Sequence, residues 1–306
     1  MQRVMDQLFR FSAAEYGQMI RSRFPNPPPN PMPPTPPSPT LTISQVCSLP
    51  NPLETDLNDF AGAQCGSMEV WLTKLESFLQ SQSEQRFKEL LDEHQVTVPV
   101  ASYQGGLLSS QGEARQVAWD QFRQRLDLCQ RLDIATIVVA ADAMSPLDQQ
   151  AIERIRHSAH ELAIEAGRRK LRVALEFQAR SAFINNLQTC VAMVEELSSP
   201  HLGVCLDAFH YYIGCSKSQD LTLLSADNLF HVQLCDLADT PRELATDSDR
   251  ILPGDGDIDL SMIVKRLRAI DYQGSISLEL LNPQIWQIPS RQVAEIGMDS
   301  LRRVVT

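Results

Sequence analysis

No stretch of this chain approaches the roughly 20 consecutive apolar residues of a membrane span, so no membrane partner is expected. Residues 1–24 also lack the unbroken apolar run of a secretion signal, because Arg3, Asp6, Arg10 and Glu15 interrupt it. Positive charge is in short supply. With 27 Lys and Arg against 38 Asp and Glu, the net charge of −11 has the wrong sign for a phosphate backbone, and no nucleic-acid partner is expected. The seven cysteines form no CxxC or zinc-ribbon spacing, and their number is odd. They read as reduced, buried thiols of a cytoplasmic protein. There is no GxGxxG and no Walker A sequence, so no nucleotide cofactor is implied. What remains is an acidic chain of 306 residues, 43% hydrophobic, with enough apolar material for one large core plus an extension. An enzyme acting on a small molecule fits this balance, with homo-oligomerisation left open.

Proline is abundant in one place. The segment from Phe24 to Thr40, FPNPPPNPMPPTPPSPT, is too proline-dense for helix or sheet and reads as an extended, polyproline-II-like linker. Before it, VMDQLFRF has the pattern of a short amphipathic helix. Residues 1–40 are thus expected to be a disordered extension, dispensable for folding and activity, and 41–306 the folded domain.

From Leu41 onward apolar strands alternate with helical patterns. The strands are expected at Leu41–Val46, Ser67–Trp71, Val96–Ser102, Thr136–Ala141, Arg172–Phe177, Leu202–Leu206, Leu229–Leu234 and Ser275–Leu280. The clearest helical patterns are Glu113–Leu132, Pro146–Arg169 with Pro146 in its first turn, Phe183–Leu197 and Leu260–Ala269. Eight β-then-α units in about 265 residues predict an α/β fold, the (β/α)₈ TIM barrel, whose active site lies at the strand C-termini.

Four polar residues end four of the strands in the second half: Glu176 in RVALEFQ, Asp207 in HLGVCLDAFH, Gln233 in LFHVQLCD and Glu279 in SISLELLN. Side chains alternate between the faces of a strand. Glu176 therefore shares a face with Ala174, Asp207 with Gly203 and Cys205, Gln233 with His231 and Cys235, and Glu279 with Ser275 and Ser277. Phe230, Val232 and Leu234 fall on the opposite, outer face. Three carboxylates on one rim repel one another unless something positive joins them. Carboxylates and an amide oxygen are hard donors, which suits one divalent cation, Mn²⁺ or Mg²⁺ over Zn²⁺. Such an ion polarises the carbonyl of a hydroxy-carbonyl substrate and stabilises the enediolate formed when the neighbouring proton leaves. Glu176 and Glu279, from opposite sides of the mouth, are the acid–base pair that removes and returns that proton. If the substituent next to the enediolate is a hydroxyl, the same chemistry expels water.

Other residues are candidates for the rim. His210, three residues after Asp207, is placed on the loop leaving its strand to bond a substrate oxygen. Arg250 precedes the turn sequence PGDG and is suited to clamp a carboxylate or hydroxyls, with Asp236 placed to orient it. Glu69 and Trp71 share a face at the end of the second strand and, with Tyr103-Gln104-Gly105-Gly106, are expected to line the opposite wall and contact substrate. Lys74 reads as a solvated lysine at a helix start. His231 reads as a structural histidine bonded to a neighbouring strand.

In combination, LEF, LDAFH, HVQLCD, RILPGDGDIDL and SLELL resemble the xylose-isomerase-like TIM-barrel family, from about Leu41 to the C-terminus. That resemblance implies metal positions at Glu176, Asp207, Gln233 and Glu279 and substrate contacts at His210 and Arg250. Many members carry His-x-His in the seventh strand with the second His on the metal. Gln233 stands there instead, as in the hydroxypyruvate isomerase-like and dehydroshikimate dehydratase-like branches. The expected activity is a metal-dependent isomerase or epimerase of a sugar-like compound, with a dehydratase of the dehydroshikimate or inosose type as the rival. A DNA-repair role of the endonuclease IV kind would need many His ligands, and this chain has six His, three of them in or beside helices. A non-catalytic binding barrel would not need so complete a ligand set.

Overall fold

The computed structural model describes residues 38–306. The amphipathic helix expected near the N-terminus and nearly all of the proline-rich linker lie outside these residues.

The eight expected strands form, all parallel: β1 (Thr40–Ser44), β2 (Ser67–Trp71), β3 (Thr97–Gln104), β4 (Thr136–Ala141), β5 (Arg172–Phe177), β6 (Leu202–Asp207), β7 (Leu229–Leu234) and β8 (Ser275–Leu278). Each bonds to the next in sequence and β8 closes back on β1, so the sheet has no free edge. Surrounding it are α1 (Leu53–Gly62), α2 (Leu72–Leu79), α3 (Glu84–His94), α4 (Gly112–Arg131), α5 (Gln149–Arg168), α6 (Leu187–Leu197), the short α7 (Ala208–Ile213), α8 (Leu260–Ala269) and α9 (Ser290–Val305). The main core lies between sheet and helices, where Ile43, Leu57, Phe60, Phe122, Phe177 and Leu278 are almost fully covered. Fully burying one such side chain stabilises the fold by about 1.5–3 kcal/mol.

Local chemistry sets the helix starts. Ser83, Asp148 and Asn186 each accept a first-turn backbone N–H, which is worth about 1 kcal/mol apiece. Asp148 therefore starts α5 two residues beyond Pro146, which follows a cis peptide bond outside the helix and not in its first turn. Asn186 likewise starts α6 later than the apolar pattern from Phe183 suggested. At the mouth, β1 stops at Ser44 because the chain turns into a 3₁₀ segment, Gln45–Ser48. β8 stops at Leu278, and the Glu279 N–H still bonds the Leu234 carbonyl.

Strict alternation fails in β7. Phe230 was expected outside, yet it clusters with Val100, Val138, Ala174 and Cys205 inside the lower barrel. The β6–β7 register shifts between Val204 and Cys205, and Gly203 makes room for the ring. A Cβ on Gly203 would come within 2.5 Å of the Phe230 ring. This plug fills the floor and leaves the polar residues one level above it.

Candidate active site

The carboxylates converge. Glu176, Asp207 and His210 each direct one potential ligand atom into a group spanning no more than 4.8 Å. Asp207 ends β6 and caps α7 by accepting the Phe209 N–H at 2.7 Å, and α7 in turn carries His210. His210 was expected on a loop; that single helical turn instead aims it at the acids, its Nε2 3.8 Å from both Glu176 Oε1 and Asp207 Oδ2. Its ring meets Phe209 edge-on, and its buried Nδ1 has no hydrogen-bond partner.

Arg250 is 2% exposed and enters the same group. Its NH1 and NH2 donate to the two oxygens of Asp207 at 3.1 and 2.7 Å, and NH2 also donates to Asp247 Oδ1 at 2.8 Å. Its NH1 lies 3.2 Å from Glu279 Oε2, which has no hydrogen bond of its own. Expected to clamp substrate, Arg250 is here the counter-charge of three acids, Asp207, Asp247 and Glu279. Asp236 does not orient it. That carboxylate accepts the N–H groups of Leu237, Gly254 and Ile258, each at 2.9 Å, and so folds the PGDG loop. Gly256 is required there, because a Cβ would stand 2.5 Å from Asp236 Oδ1.

Gln233 donates through Nε2 to Glu279 Oε1 at 2.9 Å and to Glu69 Oε1 at 3.2 Å, while its Oε1 accepts from Cys205 Sγ. A half-turn of the amide about its terminal bond exchanges nitrogen for oxygen on the carboxylate side. Glu69, expected at the rim, instead lies fully buried beneath Gln233. Its Oε2 is 2.8 Å from His231 Nε2, and His231 Nδ1 meets Ser275 Oγ of β8 at 2.9 Å. His231 thus has the structural role expected of it, with a fourth carboxylate as a partner that no spacing revealed.

Electrostatics follow from this crowding. Burial first, then the charge of Asp207, raises Glu176 well above the ordinary carboxylate range. Burial and the charges of Asp207, Glu69 and Glu176 do the same to Glu279. Burial would also raise Asp207, but Arg250 and His210 hold it below its usual value. Burial lowers His210. The site is short of positive charge.

Glu176, His210, Gln233, Arg250 and Glu279 line a pocket of about 230 Å³ at the barrel mouth, while Asp207 is fully buried against Arg250. Trp71, Tyr103, Gln104 and Gly105 form its far wall as expected, and Ser102, Gln178, Asp247 and Leu281 line it unanticipated. Gln178 was legible, two residues beyond Glu176 on the same face. Ser102 lies on β3 itself, and Asp247 and Leu281 reach the pocket from segments after β7 and β8 that spacing does not encode. Lys74 is not solvated: it is 9% exposed and bonded to Asp56 and the Ser48 carbonyl. All seven cysteines are free and six are buried, with Cys215 exposed. Among the described residues, no helix is long and apolar enough to cross a membrane.

Comparison with known proteins agrees with this architecture. Over 137 residues the chain is 29% identical to an inosose isomerase of Halalkalibacterium halodurans, covering 44% of this chain and 49% of that protein. It is 29% identical to a 3-dehydroshikimate dehydratase of Pseudomonas putida across 60% of this chain and 29% of that one. The matches thus span about half, and less than a third, of these two relatives. Among solved structures, the IOLI protein with a bound zinc atom superposes with a TM-score of 0.81 at 21% identity, over 87% of this chain and 98% of that one. A D-psicose 3-epimerase determined with D-fructose gives 0.69 at 18% identity, over 87% and 99%. The model of the family described as xylose isomerase-like TIM barrel matches residues 60–304, and the chain belongs to that family.

Proposed function

We propose that the barrel, from Thr40 of β1 onward, is a divalent-metal-dependent isomerase or epimerase of a small hydroxy-carbonyl compound, with the residues before it as an extension outside the catalytic unit. The observation that carries this reading is the convergence of Glu176, Asp207, His210, Gln233 and Glu279 on one side of a buried mouth. Glu176, Asp207, Gln233 and Glu279 are the residues that would hold the cation. Their fit rests on two features: a cluster of acids short of positive charge, and a Glu279 oxygen left without a hydrogen bond. When bound, the cation supplies Lewis-acid polarisation of the substrate carbonyl.

The chain's own groups do the rest. Glu279 and Glu176 both line the pocket, one positioned to take the proton from the carbon beside the carbonyl and the other to return it. His210, which lines the pocket, donates to or accepts from a substrate oxygen. Arg250 passes from the acids to an anionic or hydroxylated part of the substrate, its guanidinium already held by Asp247. Glu69 and His231 fix the amide of Gln233 from below.

A second reading has its own support. A dehydroshikimate dehydratase is among the relatives, and Gln233 in place of the more usual strand-seven histidine fits that branch as well as the hydroxypyruvate isomerase-like one. A dehydratase would use the same pair, with Glu176 or Glu279 protonating the departing hydroxyl. Both readings place the enzyme in a reducing, cytoplasmic compartment, consistent with seven free thiols. The test is metal analysis of the purified protein followed by a screen of ketoses, hydroxypyruvate, inosose and dehydroshikimate with Mn²⁺. Exchange of the α-proton with solvent deuterium without new ultraviolet absorbance identifies the isomerase. New absorbance from an unsaturated product identifies the lyase. Neither response across the panel, with no metal retained, overturns both.

A further inference from the structure

The wall of the pocket opposite the acids is a pair of stacked rings, Trp71 and Tyr103, with centroids 4.4 Å apart and planes 25° from parallel. Both rings and Leu281 also line a second cavity of about 890 Å³, outside the first and bounded by Asn51, Ser77 and Ser81 among others. The stack is therefore the partition between a small compartment holding the acids and a larger one open to solvent. Tyr103 is 56% exposed, so burial does not hold it in place. Its backbone has φ +77°, a left-handed conformation that an aromatic residue adopts only when its surroundings impose it.

What imposes it is visible. Arg125 on α4, 4% exposed, donates from NH1 to the Tyr103 carbonyl at 2.8 Å and to Gln104 Oε1 at 3.1 Å. Its other two nitrogens form a fork on Glu76 of α2, at 2.6 and 2.8 Å. Two residues earlier on α2, Lys74 bonds Asp56, and Asp56 accepts from Gln45 Nε2 at 2.9 Å. Gln45 Oε1 then accepts the Trp71 N–H at 3.0 Å. One short helix thus governs both rings, through Lys74 for Trp71 and through Glu76 for Tyr103.

We infer that the Trp71–Tyr103 stack limits the substrate to what fits the inner compartment, and that Arg125, tied to Glu76, is the positioning residue that keeps Tyr103 in the stack. The inference rests on reading the acid-lined pocket as the substrate site. An unsubstituted ring or short polyol ketone is admitted, and one bearing a bulky ether or glycosidic group is turned away. Such a wall binds ground state and transition state alike, so loosening it raises KM and leaves kcat nearly unchanged.

The test uses full-length, Mg²⁺-loaded protein carrying 5-fluorotryptophan, with the Trp71 resonance assigned through Trp71→Phe. The probes are inosose and its O-benzyl ether, titrated while the ¹⁹F signal and turnover are followed. In the unsubstituted protein inosose is expected to move the Trp71 signal and the ether to leave it. Tyr103→Ala should admit the ether and raise KM for inosose roughly tenfold with kcat within about twofold. Arg125→Met should move the free-protein Trp71 signal toward its Tyr103→Ala position and reproduce part of the KM effect. Arg125→Lys should restore less than half, because a single ammonium cannot reproduce the fork. Arg125→Met is a tolerable change, since the Glu76 side chain is 34% exposed and is not left as a buried lone charge. Equal binding of both probes to the unsubstituted protein overturns the wall, and an unmoved Trp71 signal in Arg125→Met overturns the positioning role. If inosose binds none of the proteins, the site reading fails for that substrate. The positioning role still stands or falls on the ¹⁹F signal of the free variants.

Discussion

The two halves of this barrel mouth divide the work unevenly. Strands β5–β8 present Glu176, Asp207, Gln233 and Glu279, acids and an amide crowded together with too little positive charge. Strands β1–β4 and the segments after them present rings and backbone, and their charges are neutralised in pairs behind the surface, Lys74 with Asp56 and Arg125 with Glu76. One half stores electrostatic strain where substrate arrives, and the other spends its ion pairs on holding a wall still. Burying unpaired acids destabilises the fold and pays only as chemistry. The halves should therefore answer mutation differently, the first through activity and the second through stability and fit.

The sharpest way to break this division is at the acid–base pair. Glu279→Gln should retain most of the metal and the fold yet lose roughly 10²–10⁴-fold in turnover, the usual cost of removing a positioned general acid or base. Glu176→Gln should behave similarly. Stability is expected to hold or rise, because each change relieves the repulsion around Asp207. Near-normal turnover of both variants, with metal bound, removes the proposed mechanism.

The opposite half gives the converse result. Lys74→Met leaves Asp56 fully buried without its counter-charge, beside only Ser48 and Gln45. Breaking a buried pair from one side costs about 3–5 kcal/mol, to be read as a lower urea midpoint. The double variant Lys74→Met, Asp56→Leu should recover much of that loss. A Lys74→Met protein as stable as its parent would mean that the pair carries no structural weight.

This asymmetry also explains what the sequence could disclose. The barrel was legible because eight apolar strands alternate with helices whatever their exact ends. The places of Glu176, Asp207, Gln233 and Glu279 near the strand ends were legible because an acid or amide at the end of a greasy strand has no local partner and so stands out. Lys74 was misread as solvated because its partner Asp56 lies 18 residues away on another element. Glu69 was placed at the rim because alternation gives a face but not a depth, and only the pairing of β2 with β1 and β3 puts it below Gln233. Phe230 was assigned outward because a one-residue register shift reverses inside and outside.

A smaller effect separates metal binding from proton transfer inside the acid-rich half. Gln233→Ala should weaken metal retention by roughly 100-fold, measured by competition with a chelator, and lose turnover in proportion. Excess Mn²⁺ should restore part of that activity, which it cannot do for Glu279→Gln. Rescue of neither, with metal affinity unchanged in Gln233→Ala, would move Gln233 from the ligand set to the positioning of Glu279, to which it donates at 2.9 Å.

The mildest test is pH, and it belongs to the quiet half. Burial outweighs the attraction of Lys74 and raises Asp56 to about 6. In the unfolded chain an aspartate titrates near 4. The folded state therefore binds this proton more tightly, and the slope of stability with pH is negative between the two values. The contribution of Asp56 is complete below about pH 4 and is lost as the pH rises through about 6, a change on the order of 3 kcal/mol. Asp56→Asn removes that titration, so its urea-derived stability should fall less steeply between pH 4 and 7 than that of the parent. Acids of the other half contribute slopes of their own, but these are common to both proteins and cancel in the difference. Parallel curves for parent and variant would mean that Asp56 keeps an ordinary carboxylate value, with Lys74 charged beside it throughout. The wall half would then hold a true buried ion pair and not a proton shared according to pH.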